Sequence, residues 1–426
     1  MKLLQIATLI FVSLLEASAL AKDNPSVRDF LRELPQDVFH GILTVPENWS
    51  QPEGRKIRIF YYGRLVSGRP PVLVIPGGPA QSSHILGRRL LWESVAAKPL
   101  SLIFFDPRGT GLSSPYPQSE EPSVQRLSQY TSAQIVKDLE ALRAMLLGQK
   151  PWRIFGHSYG TRVVAAYLQN YPKSIEAAFG SGYSFLGPKE RLSRREEQLG
   201  QAIQLFYRRY PAIAQTIRAA VQKNKLEAIE IEYLGRMYSI PQILDLTAPR
   251  FSEPATWPTL AGHLRDILNL RREWNREGLL NILRWLLPNG LDQGWMDAIT
   301  VINALDNNEG QTDLSLIQQM PRHWQNKLIV EARFYRSVLE PERDRSIQHQ
   351  LLGIEPNVLS GEKIGKARKK TPFLLYQGEN DSLAGLQGDS KLACEVLLEG
   401  VGHQMWHSQK LLEDLIKPVK DLITKN

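Results

Sequence analysis

Residues 152–161 read Trp-Arg-Ile-Phe-Gly-His-Ser-Tyr-Gly-Thr, an apolar run that passes through Gly-x-Ser-x-Gly into helix-forming residues 163–168. A serine so placed sits at a cramped strand-to-helix corner, with glycines two residues to either side letting neighbouring backbone pass close by. The chemistry such a corner serves is nucleophilic. Ser158 would lie at a helix N-terminus, whose free N–H groups and dipole favour developing negative charge. A hydroxyl attacks poorly until a base takes its proton, and that base needs an acid to hold its tautomer. Asp381 follows the apolar run 373–376, and His403 follows the run 395–399. The order serine, acid, histidine is the one expected of such an elbow. Alternatives stand beside each choice. Asp381 is also a turn-forming carboxylate with Glu379 as its substitute, His407 competes with His403, and His157 reads as a packed imidazole. An oxyanion would need preorganised N–H donors, which Tyr159 and Gly78 of Pro76-Gly77-Gly78-Pro79-Ala80 can supply. A plain Gly-Pro turn explains the same glycines.

The elements that must position these residues follow from hydrophobic pattern. Strand-like runs occupy 41–45, 57–64, 72–75, 102–105, 152–155, 175–180, 373–376 and 395–399, and the last five are mostly continuous apolar stretches. Such runs suit strands of a parallel sheet buried on both faces. Residues 131–147 carry Ile135, Leu139, Leu142 and Leu146 at helical spacing. Alternating strand and helix predicts a doubly wound α/β sheet, with ligands at the carboxyl ends of its strands. Between about 183 and 370 the strand signal nearly vanishes, and helices are expected over 192–210, 212–223, 260–276, 279–287 and 314–339. Residues 115–122 and 359–367 read as polar loops.

The chain has 426 residues, a net charge of +8 and one cysteine, Cys394. Residues 1–21 carry Lys2, an apolar run over 3–15 and the small-x-small site Ala19-Leu20-Ala21, the pattern of a secretory signal. The run falls short of the ~20 residues a membrane-spanning helix needs. The expectation is therefore an exported protein, periplasmic or secreted from a bacterium, with no stable membrane insertion after cleavage. One cysteine excludes an intrachain disulfide and hence a stapled mini-domain. Positive charge is densest over 363–370, but no aromatics are interleaved there, so a solvated face is expected and no nucleic-acid partner. No His/Cys/Asp cluster has ligand spacing, so neither a metal nor another cofactor is expected.

Several motifs also resemble one family. Pro76-Gly77-Gly78-Pro79 is similar to the His-Gly-Gly-Pro-Gly loop of proline iminopeptidases, and Asp106-Pro107-Arg108-Gly109-Thr110-Gly111-Leu112-Ser113 resembles their Asp-x-Arg-Gly-x-Gly-x-Ser segment. Gly156-His157-Ser158-Tyr159-Gly160-Thr161 resembles the elbow of tripeptidyl aminopeptidases. Pro76 and Ala80 stand where the family has histidine and glycine. The resemblance implies an α/β-hydrolase fold: a mostly parallel eight-stranded sheet with a large helical cap inserted after the sixth strand. Core would then span 22–182 and 371–426, and cap 183–370. It implies Ser158, Asp381 and His403 as a catalytic triad, Gly78 and Tyr159 as oxyanion donors, and a structural, buried-pair role for Asp106 and Arg108. The activity implied is serine exopeptidase cleavage of N-terminal residues, proline among them, from short peptides with a free N-terminus. A carboxylesterase on the same scaffold is the alternative. In the family, cap carboxylates hold the substrate's ammonium, and Asp306 and Glu309 are the candidates here, against a reading as solvated acids at a helix end.

Overall fold

Strands β1 (Phe39–Pro46), β2 (Lys56–Arg64), β3 (Pro71–Ile75), β4 (Ser101–Phe105), β5 (Trp152–His157), β6 (Ile175–Ser181), β9 (Phe373–Gly378) and β10 (Cys394–Leu398) form one sheet in the order β1-β2-β4-β3-β5-β6-β9-β10. The structure, a computed structural model, describes residues 30, 32–117, 123–223, 230–251, 253–267, 274–286, 293–312, 341–379, 381, 392–399, 401–406 and 408–423. The pairs β1–β2 and β2–β4 are antiparallel and every other pair is parallel. This is the α/β-hydrolase sheet that the sequence predicts, with the insertion following the sixth strand.

Strands β3 to β6 are buried on both faces because helices cover both. Ile154 joins one apolar cluster, with Leu73, Ile103 and Val164, while its neighbour Phe155 joins a second, with Val74, Phe104 and Phe179. Register then decides where the loops emerge. Ile75 lies opposite Gly156, Gly156 opposite Gly180, Ser181 opposite Tyr376 and Gly378 opposite Leu398. The segments after β3, β5, β9 and β10 therefore leave one edge of the sheet together.

The insertion packs in two ways. Helices Pro188–Arg209, Pro211–Lys223, Trp257–Arg265 and Arg276–Leu286 bury their apolar faces in a cluster of their own, around Phe206, Leu260 and Leu283. Helices Gln293–Asp306 and Pro341–Leu351 instead join the sheet's cluster through Val301, Ile302, Leu305 and Ile347.

Three expectations differ from the structure. A hairpin of β7 (Glu230–Tyr233) and β8 (Arg236–Ser239) turns on Leu234 and Gly235, both at positive φ, which is the two-residue turn that matches strand twist. Four-residue strands carry too little alternation to be seen in the sequence. Within residues 359–367, read as loop, begins the helix Gly361–Arg368, whose start Ser360 caps by accepting the Lys363 N–H at 3.3 Å while Ile364 is buried. The single helix expected over 260–276 ends at Arg265, and Arg276 starts the next. The helix expected over 314–339 lies outside the described residues, as do residues 1–21. No helix among the described residues is long and apolar enough to cross a membrane.

Candidate active site

Ser158 adopts φ 53° and ψ −125°, a left-handed backbone that L residues avoid and that turns β5 directly into helix Tyr159–Asn170. The surroundings hold it there. Its N–H donates to the Ser181 carbonyl at 2.7 Å, and its own carbonyl accepts the Thr161 N–H at 2.8 Å. The Thr161 hydroxyl ties the corner further, donating toward the Gly156 and Ser181 carbonyls at 2.9 and 3.0 Å. The flanking glycines are required by space. A Cβ on Gly156 would lie 2.2 Å from the Gly160 carbonyl oxygen, and one on Gly160 would lie 2.5 Å from that of Ile75.

Asp381 and His403 stand on the segments after β9 and β10. Asp381 is buried and its backbone N–H donates to the Gly378 carbonyl at 3.0 Å. Its carboxylate oxygens lie 2.9 and 3.0 Å from His403 Nδ1. An ionised carboxylate only accepts, so Nδ1 carries the proton and Nε2 is left as a base. Glu379 is exposed, and His407 lies outside the described residues. Gly182, at φ 62°, makes room for the imidazole, since a Cβ there would lie 2.9 Å from His403 Cε1.

Ser158, His403, Gly78 and Tyr159 line one cavity of about 650 Å³, inside the range of roughly 300–1,000 Å³ usual for small-molecule sites. The loop carrying Gly78 is anchored from below. Asp106 accepts the Ser83 N–H and hydroxyl, each at 2.8 Å, and the Leu112 N–H at 2.8 Å, while His84 Nε2 lies 2.9 Å away. Ala80 takes φ 69°, so it keeps the left-handed conformation that its resemblance to a glycine position requires.

Asp106 and Arg108 are both buried, but they do not pair with each other. Arg108 binds Asp138 through two bonds of 2.7 and 2.6 Å and also the Glu47 and Gln129 carbonyls. The fork geometry of a guanidinium favours the helix carboxylate opposite it over the strand-end carboxylate two residues away.

His157 is buried with Nδ1 3.0 Å from Ser181 Oγ and its ring edge-on to Trp406 at 4.6 Å. Burial, and then the charge of nearby His403, hold its pKa well below the ordinary value, so it stays neutral. It packs beside His403, with 4.8 Å between ring centres.

The structure does not bring Asp306 or Glu309 to this cavity. Asp306 is buried and accepts from Ser132 N–H and Oγ at 2.9 and 2.8 Å, from Asn357 Nδ2 at 2.9 Å and from the Tyr159 hydroxyl, with Arg162 at 3.7 Å. Its partners fully engage it as a clamp between insertion and core. Glu309 is exposed at φ 53° and lines a separate cavity of about 160 Å³. The carboxylate that does line the main cavity is Glu253, which accepts the Gln404 N–H at 3.2 Å. Burial raises its pKa, an effect that the charge of His403 opposes. Arg191, Arg250, Asn303 and Asn307 line the same cavity. No periodicity marks these residues, and only their side-chain chemistry within the insertion could have singled them out.

A model of the alpha/beta hydrolase fold matches residues 70–395. Over 221 residues the chain is 26% identical to a proline iminopeptidase of Neisseria meningitidis, a stretch covering 51% of this chain and 62% of that protein. Over 187 residues it is 26% identical to a tripeptidyl aminopeptidase of Streptomyces lividans, covering 33% of this chain and 34% of that one. The matches thus span between about a third and three fifths of these curated relatives' own length. Among solved structures, an acetylester hydrolase from Corynebacterium glutamicum aligns over 90% of this chain and 96% of its own, with 11% identity and a TM-score of 0.44.

Proposed function

The chain belongs to the alpha/beta hydrolase fold family, and from that premise we propose that it is a serine exopeptidase removing N-terminal residues from short peptides. The observation that carries the reading is the His403–Asp381 pair at 2.9 Å, with His403 lining one cavity together with a serine held at φ 53°. His403 Nε2 takes the Ser158 proton as Oγ attacks the scissile carbonyl. The oxyanion settles on the N–H groups of Gly78 and Tyr159. His403 then protonates the leaving amine, and a water activated by the same imidazole hydrolyses the acyl-enzyme. Asp381 stabilises the imidazolium throughout.

An exopeptidase must also hold the free ammonium, and Glu253 is the carboxylate placed for it, in the stead of Asp306 and Glu309. The iminopeptidase and aminopeptidase relatives support a peptide substrate, and residues 1–21 support export with a mature chain starting at Lys22. Prolyl, alanyl and tripeptidyl arylamides assayed beside p-nitrophenyl esters test the reading. Amide cleavage that requires a free amine is expected, together with fluorophosphonate labelling of Ser158. Ester turnover without any amide cleavage would overturn it in favour of an esterase.

A further inference from the structure

Among the described residues lining the cavity, Arg191 and Arg250 carry positive charge and Glu253 is the one carboxylate. The arginines are held by neutral partners. Arg191 donates to the Asn307 carbonyl at 2.7 Å and to Asn308 Oδ1 at 2.8 Å. The Arg250 guanidinium lies 5.2 Å from the centre of the Trp285 ring, a packing that orients a cation without neutralising it. Among the described residues, neither meets a carboxylate within ion-pair distance. Glu253 interacts with Arg250 only from further off, and it is engaged with Gln404. Half-buried guanidinium groups lose hydration, and a protein that gives them no fixed counter-ion leaves that loss uncompensated. A planar guanidinium fork suits carboxylates and phosphates gripped through paired hydrogen bonds, and in a peptide substrate that group is a carboxylate.

We propose that Arg191 and Arg250 form a carboxylate-binding subsite, so that the cavity selects substrates with an anionic group beyond the scissile bond. With Glu253 taking the ammonium, the preferred substrate is a short zwitterionic peptide. Its carboxylate is supplied either by its own C-terminus or by an acidic side chain next to the scissile bond. The inference rests on the cavity being the substrate site, as proposed above. It does not depend on which bond is cleaved. The neutral side chains of Asn303, Asn307 and Asn308 line the same cavity.

Binding to the full-length Ser158→Ala protein, measured by calorimetry, tests the subsite without turnover. Ala-Ala is compared with Ala-Ala-amide, and Ala-Glu-amide with Ala-Gln-amide. The acid of at least one pair should bind roughly tenfold to a hundredfold more tightly than its amide, and which pair shows it identifies the source of the carboxylate. In Arg191→Met and Arg250→Met that ratio should collapse toward one, and lysine at either position should restore part of it. Equal affinity of acid and amide in both pairs would overturn the proposal, whether or not the variants fold. Hydrolysis of p-nitrophenyl hemiglutarate over the butyrate ester, with no amide cleaved, would keep the subsite while overturning the peptidase reading.

Discussion

On the sheet side of the cavity, Ser158 is positioned almost wholly by main chain: the Ser181 carbonyl, the Thr161 N–H, and glycines whose neighbours lie within 2.5 Å of where a Cβ would be. On the cap side, Arg191, Arg250 and Glu253 reach the same space as side chains of a helical unit with its own apolar cluster. The difference separates two tasks. On the proposed function, geometry fixed by backbone would set what reaction occurs, and side chains on an independently packed unit would set what is admitted. A change on the first wall should therefore lower turnover for every substrate, whereas one on the second should reorder substrates.

The sharpest break is Ser158→Ala, which should lower kcat/KM by about 10⁴-fold or more on every substrate tested. Asp381→Asn should approach that loss, because the imidazole is then held in the wrong tautomer. Retained activity in either variant would remove the sheet side from the reaction.

Gly160→Ala tests whether the elbow is set by space alone. Its Cβ would meet the Ile75 and Pro76 carbonyl oxygens at 2.5 Å, and overpacking of this kind costs about 1–3 kcal/mol. Activity on esters and amides should fall together, with a lower Tm in calorimetry. An unchanged Tm would mean that the corner relaxes freely.

Glu253→Gln addresses the other wall. It should raise KM for free-amine peptides roughly tenfold, the effect of losing one charge-assisted bond, with a much smaller effect on kcat. Because burial raises the pKa of the Glu253 carboxyl from its ordinary value, wild-type KM should rise as pH falls through that raised pKa. The Gln variant should lack this rise. A uniform fall in kcat would put Glu253 with the catalytic groups and blur the division.

The smallest expected effect concerns His157. Its folded-state pKa is depressed, so below about pH 6.5 the unfolded chain takes up a proton that the folded chain refuses. Stability should decline as pH falls from 6.5 toward the folded pKa, by at most about 1.4 kcal/mol per pH unit. His157→Gln should flatten that slope in denaturant titrations at pH 5 to 7. An unaltered slope would assign the acid sensitivity to other groups.

The sheet was legible in the sequence because strands buried on both faces must be continuously apolar, and Ile154 and Phe155 serve opposite clusters. The residues at its carboxyl edge were legible too, since each follows a strand by a few positions. The cap side was not. The role of Asp306 depends on Ser132 and Tyr159, 174 and 147 residues away, and no local pattern carries contacts of that span. The positions of Arg250 and Glu253 depend likewise on how the helical unit settles over the sheet. Its helices betray their apolar stripes but not the direction of their polar ends.

The clamp at Asp306 bears on how such enzymes can be recombined. One carboxylate is shared by the start of a core helix at Ser132, by the residue that follows the nucleophile and by Asn357. A chimera that grafts a foreign cap at the ends of the insertion would remove Asp306 and Asn357 together and strand the core donors Ser132 and Tyr159 in the interior. The natural crossover instead falls between Leu286 and Gln293, where the self-packed helices give way to those fused with the sheet. Specificity modules exchanged at that seam would leave the nucleophile's surroundings intact.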